Sequence, residues 1–188
     1  IRLSLVGSEM CIRDSYNYKE AFMPYSLDEL AKDIKGILKD HGIQEGSDKV
    51  CYYVQKALMD QNFIQNNLKD RDDQNPREIL YEDPELGFCV CGHVYNQEAN
   101  GSPHDHGSSW AVYGQAAGET EMTEWEIVKQ ENDIKLVKEI KKYVMKPGDV
   151  KFYNVGDVHS PIRKEPVRLL RIEGKNLDNV ERSKIKEL

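Results

Sequence analysis

Gly101-Ser102-Pro103-His104-Asp105-His106-Gly107 runs into the apolar stretch Trp110 to Ala117, and a third histidine follows in Gly156-Asp157-Val158-His159. On an extended strand successive side chains alternate sides, so His104 and His106 share one face while Asp105 points away. Two imidazoles on one face are able to grip one ion, and His159 then joins them from a partner strand. The stretch predicts a metal site inside a small β-barrel.

The flanking sequence carries the pattern such a barrel needs. Short β-rich runs occupy Ile79 to Tyr81, Phe88 to Tyr95, Ser109 to Ala116, Glu119 to Val128, Ile134 to Tyr143, Asp149 to Tyr153 and Arg168 to Ile172. Turn residues separate them at Asp83-Pro84, Asn100-Gly101, Gln130 to Asp133 and Lys146 to Asp149. Upstream the period changes. Ser26 reads as an N-cap for a stripe of Leu27, Leu30, Ile34, Ile37 and Leu38 that stops at Gly42. A second stripe, Val50, Val54, Leu58 and Phe63, begins near Ser47 and ends in the polar stretch Asn66 to Asn75. Both stripes are read as packing against a sheet, and the charged tail from Asn176 to Leu188 as peripheral.

Composition narrows the function classes. The 188 residues carry a net charge of −7, with basic residues interleaved among acidic ones, which argues against a nucleic-acid surface. No apolar run is long enough for a membrane helix, so a small molecule is the expected partner and a monomer or homodimer the expected assembly. The cysteines Cys11, Cys51, Cys89 and Cys91 form no CxxC pair and lack the density of a secreted disulfide scaffold, which points to a cytoplasmic protein. Cys89 and Cys91 read as small buried residues. Residues 1–15, Ile1-Arg2-Leu3 through Ser15, lack an initiator Met and a signal-peptide core and resemble translated adapter sequence. They are read as a non-native or disordered leader and set aside.

Gly101-x-x-His104-x-His106, Gly118, and Pro147-Gly148-Asp149 followed by Gly156-x-x-His159 together resemble the two halves of the cupin signature. The resemblance implies a mainly β fold: a double-stranded β-helix, or jelly-roll barrel, over residues 76–176. A helical segment over 16–75 packs on it and a tail over 177–188 follows, one domain overall. Most cupins add a Glu ligand shortly after the second His, but Trp110 and Ala111 stand there, leaving His104, His106 and His159 as the metal ligands. His41 and His93 lie outside the motifs and are not assigned to the metal.

A three-His set resembles the cysteine dioxygenase family, in particular its bacterial thiol dioxygenases, over roughly Arg77 to Asn176. In that family an Arg upstream of the His pair binds the substrate carboxylate, which a guanidinium fork does with two parallel hydrogen bonds. Arg77 occupies that place. Ala111 replaces the cysteine that animal members cross-link to a tyrosine. Arg171 and Glu173 replace the His and Tyr of the family's last strand; facing inward, Arg171 would serve as a second carboxylate clamp and Glu173 as a general base or amine partner, and facing outward they would be a solvated pair. Tyr113 and Gln115, alternating after His106, are cavity candidates, Tyr113 as the phenol of the site and Gln115 as a substrate contact.

The resemblance implies a non-haem Fe(II) enzyme that oxidises a small carboxylated thiol, cysteine or a mercapto acid, to a sulfinate with O2. Three imidazoles equally suit other divalent transition metals. Two rival expectations stand beside it: a metal-dependent cupin lyase or isomerase acting on a small carboxylate without O2, and a non-catalytic metal- or ligand-binding cupin.

Overall fold

Ser26 opens helix α1 (Leu27–Met59) with a reciprocal cap: its hydroxyl accepts from the Glu29 amide, and the Glu29 carboxylate accepts from the Ser26 amide. The structure, a computed structural model, describes residues 25–72 and 74–188. The leader reading of residues 1–15 and Cys11 lie outside the described residues. Gly42, at φ 63° and ψ 179°, breaks α1 into two arms, where the first apolar stripe ends. Asp60 closes α1 and caps α2 (Gln61–Asn67) by accepting from the Asn62 and Phe63 amides, so Phe63 falls in a separate short helix.

Ten strands follow among the described residues: β1 (Arg77–Glu82), β2 (Cys89–Tyr95), β3 (Ala99–Asn100), β4 (Ala111–Ala117), β5 (Thr120–Glu131), β6 (Ile134–Met145), β7 (Val150–Tyr153), β8 (Val158–Arg163), β9 (Val167–Glu173) and β10 (Lys184–Glu187). They form two five-stranded sheets, ordered β1-β2-β9-β4-β7 and β10-β6-β5-β8-β3. Every neighbouring pair is antiparallel except β10 with β6.

Alternation divides the first sheet's side chains between two environments. Val90, Val112, Leu170 and Ile172 join Leu30, Ile34, Val50, Val54 and Leu58 of α1 in one apolar core outside the sheet. Gly114 makes that approach possible, since a Cβ there would stand 2.8 Å from Val54 and 2.9 Å from Leu58. The opposite face turns Cys91, Arg171 and Tyr113 inward, in register across β2, β9 and β4. Closed on the second sheet, this is a double-stranded β-helix with the N-terminal helices on its outside.

Two elements differ from the sequence expectation. The β-rich runs do not include β8, the partner strand expected to carry His159; this strand runs through Pro161, whose carbonyl accepts from the Gly101 amide at 2.8 Å. Its neighbour on that side, β3, is only two residues long, so this is close to a sheet edge, where proline is tolerated. The tail, expected to be peripheral, is integral: Leu177 is buried, β10 pairs with β6, and the Ser183 amide donates to Asp105 at 3.2 Å.

Candidate metal centre

His104 and His159 face each other across a reciprocal pair of backbone hydrogen bonds, each amide donating to the other's carbonyl at 3.0 Å. His104 lies in this isolated bridge rather than in a named strand, but the expected alternation holds. Asp105 turns away and is buried, accepting from the Gly107 amide (3.0 Å), the Ser183 amide (3.2 Å) and Lys135 Nζ (2.9 Å). Gly107, at φ +57°, turns the chain directly beneath the tail; a Cβ there would fall 2.2 Å from the Glu181 carbonyl oxygen. The loop carrying two of the histidines is thus held by the tail.

The three imidazoles converge. Their ligand atoms all lie within 4.8 Å of one another, and ring centroids are 4.7 Å apart for His104 and His159 and 4.9 Å for His106 and His159. His104 Nδ1–H donates to the Ser102 carbonyl at 2.8 Å, which leaves its Nε2 lone pair free. Nε2 of His106 and Nε2 of His159 both reach the Tyr113 hydroxyl, at 2.8 and 3.1 Å, while their Nδ1 atoms are buried without partners. Burial holds all three rings neutral, lowering His104 to about 4, His106 to about 3, and His159 well below its ordinary value. Three neutral, convergent imidazoles, two of them meeting the Tyr113 hydroxyl at Nε2, fit a divalent transition metal.

The Tyr113 hydroxyl touches two of the ligand nitrogens. Burial raises its pKa, so the phenol keeps its proton. The Arg171 guanidinium lies 3.8 Å over its ring, a cation–π contact that fixes the ring in place. Arg171 and Glu173 both face the interior, at 7% and 0% exposure. Glu173 accepts from Arg77 Nη2 at 2.7 Å and lies 3.7 Å from Arg171. Burial alone would raise its pKa, but His93, Arg171 and Arg77 more than offset that and keep it ionised. A carboxylate held so far down is a weak base; in this geometry it orients two guanidinium groups. Arg77 is engaged on both sides, donating to Glu173 and, at 2.9 and 3.0 Å, to Asp178, so its fork is turned to the protein's own acids. Gln115 is fully buried and donates to the Ala117 and Gly118 carbonyls, each at 3.0 Å, with its Oε1 unpaired.

Two interior residues escaped the sequence reading. Tyr153 stacks on His159 at 3.9 Å between centroids, donates or accepts at the Tyr143 hydroxyl at 2.6 Å, and lines a groove of about 320 Å³ with Glu124, Trp125 and Lys151. Arg163 lies in β8 on the same face as His159 by the period of two, and is 4% exposed. That period was available in the sequence once β8 is read through Pro161. His93, outside the cluster, is buried in β2 with its Nε2 3.9 Å from Glu173 Oε1.

No protein-family model and no curated protein matches the chain. Among solved structures it is similar to KdgF from a Halomonas species at 17% identity, covering 58% of this chain and 92% of that one, with a TM-score of 0.43. A cupin superfamily protein from Desulfitobacterium hafniense is 15% identical over 57% of this chain and 84% of its own, with a TM-score of 0.43. The DMSP lyase DddQ from Ruegeria pomeroyi is 13% identical over 61% of this chain and 59% of its own, with a TM-score of 0.42. Likenesses this distant assign no activity to the chain. Among the described residues no helix is long and apolar enough to cross a membrane.

Proposed function

We propose that the protein is a non-haem Fe(II) thiol dioxygenase-like enzyme that converts a small carboxylated thiol to its sulfinate. The observation that carries the reading is the donor set: among the described residues the cluster holds three histidines and no carboxylate. His104, His106 and His159 would hold the metal as its protein ligands and would leave it coordination positions for a reaction joining two small molecules. An iron ion held there supplies the template on which sulfur and O2 meet. The balance is simple: a thiolate and one O2 become one sulfinate, both oxygen atoms ending on sulfur, which gives up the four electrons that O2 takes.

The chain's own residues bind and orient. Tyr113, protonated and in contact with two ligand nitrogens, is placed to donate a hydrogen bond to a group bound beside them. Arg171 braces the phenol and presents positive charge to the substrate carboxylate, and Gln115 has a free buried Oε1 at the interior wall. Met122, Met145, Ala111 and Tyr153 form an apolar cluster around Tyr113 that excludes water.

The same phenol supports a second reading, a lyase or isomerase in which Tyr113 moves a proton next to a carboxylate without O2. Anaerobic iron loading followed by oxygen uptake separates the two. The expected result is uptake with cysteine or 3-mercaptopropionate, much less with cysteamine, which lacks the carboxylate, and sulfinate by mass spectrometry. No thiol-dependent uptake by iron-loaded protein would sink the dioxygenase; turnover of a carboxylate by zinc- or manganese-loaded protein without oxygen would favour the lyase. Tight metal binding with neither activity would fit a binding protein.

A further inference from the structure

Among the described residues Arg77, Arg163 and Arg171 reach the barrel interior, and they are not equivalent. Arg77 is matched by Glu173 and Asp178, and Arg171 shares Glu173 at 3.7 Å. Arg163 is 4% exposed, yet among the described residues no carboxylate lies within ion-pair distance of it and its Nε makes no hydrogen bond. Its contact is the face of Tyr95, 4.4 Å from the guanidinium carbon. The other acid of this region, Glu124, is taken by Lys151 at 2.8 Å. Arg163 and Arg171 are thus both buried, while Glu173 is the one buried carboxylate that Arg171 and Arg77 share, Asp178 being largely exposed. The interior carries a surplus positive charge before any metal adds its own.

A buried cation without a counter-charge is costly, and packing alone would be served better by an apolar side chain of similar volume. Position supplies the reason for keeping it. Arg163 follows His159 and Pro161 on the inward face of β8, while Arg171 comes from β9 in the opposite sheet. Both side chains lie on aromatic faces, Arg163 on Tyr95 at 4.4 Å and Arg171 on Tyr113 at 3.8 Å, and the Tyr113 ring centroid is 5.2 Å from that of His159. An anion reaching both guanidinium groups would match the buried positive charge.

We propose that Arg163, together with Arg171, receives the carboxylate of the substrate whose other end reaches the three-histidine centre, and that Arg163 sets the selectivity for anionic substrates. The assignment rests on the reading of that centre as a site for a small carboxylate, and it moves the anion clamp from Arg77, whose fork is already filled, to the opposite sheet.

Calorimetric titration of the zinc-loaded full chain tests it with three probes: 3-mercaptopropionate, propionate, which lacks the sulfur, and 3-mercaptopropionamide, which lacks the charge. Arg163→Gln is expected to weaken both carboxylates by about 100-fold, the scale of removing one partner from a buried charge pair, while the amide changes by less than about 3-fold. Arg163→Lys keeps the charge without the fork and falls between. If Arg163→Gln binds both carboxylates as the parent does, or if neither carboxylate binds the parent, the proposal is overturned. Arg163-dependent binding of carboxylates without thiol-driven oxygen uptake would overturn the dioxygenase instead and leave this assignment standing. Thermal melting of the ligand-free protein adds an independent arm: Arg163→Met is expected to raise Tm by about 2 to 5 °C, because it removes an unmatched charge from the core. A fall in Tm would mark Arg163 as a structural residue and contradict the proposal.

Discussion

Tyr113 Oη sits 2.8 Å from His106 Nε2 and 3.1 Å from His159 Nε2, so a single oxygen atom separates a metal-binding role from a catalytic one. Tyr113→Phe keeps the ring under Arg171 and removes only that atom. Metal content is expected to stay at the parent level while turnover falls about 100-fold or more, the usual weight of one positioned proton donor; unchanged turnover in steady-state assays would remove Tyr113 from the chemistry. A second residue-scale prediction concerns His93, whose burial, aided by the Arg171 charge, lowers it from 6.5 to about 3. Between those values the unfolded chain binds a proton that the folded chain refuses, so stability is complete above pH 6.5 and is lost as pH falls toward 3. Denaturant melts across that range should show His93→Leu with a shallower pH slope than the parent, by up to about 1.4 kcal/mol per pH unit. Parallel slopes would show that His93 does not carry a buried neutral ring.

Elements with a strong period were legible in the sequence, and those whose cause lies in a neighbour were not. The stripe from Leu27 to Leu38, its Ser26 cap and the stop at Gly42 follow from helical spacing and one left-handed backbone. The β5–β6 hairpin announced itself through Asn132-Asp133, and Asn132 adopts φ 51° at the turn. A partner strand was expected to carry His159, but β8 was not among the β-rich runs, and its pairing with β3 and β5 shows how it continues through Pro161. Its extent to Arg163 was therefore not read, although His159 itself was read from its motif. The outcome for Arg77 has a similar cause: its place in sequence suited a carboxylate clamp, but Asp178, in a tail read as peripheral, folds back to occupy it. Gly42 gives the prediction at this scale. Nothing lies within 4 Å of where its Cβ would stand, so Gly42→Ala isolates the backbone cost. Urea unfolding should show a loss of about 1–3 kcal/mol; no loss would mean that the two arms of α1 merge into one helix without penalty.

Across the whole molecule, sheet, tail and centre form one mechanical chain. Asp105 is fixed by Lys135 of β6, by its own loop and by Ser183 of the tail, and it separates the two ligands His104 and His106. Removing residues 176–188 should therefore loosen the metal as well as lower Tm. Competition with a chelator is expected to show about 10-fold weaker binding, the scale of losing an outer contact to a ligand loop, whereas unchanged affinity would make the tail a stability element only. The central claim is the three-histidine centre, and metal analysis of the full chain purified without chelators, beside His159→Ala, tests it most directly. The account predicts about one divalent transition metal ion per folded parent chain and none retained by the variant; a metal-free parent that also fails to take up iron, zinc or manganese, or equal retention by His159→Ala, would contradict it.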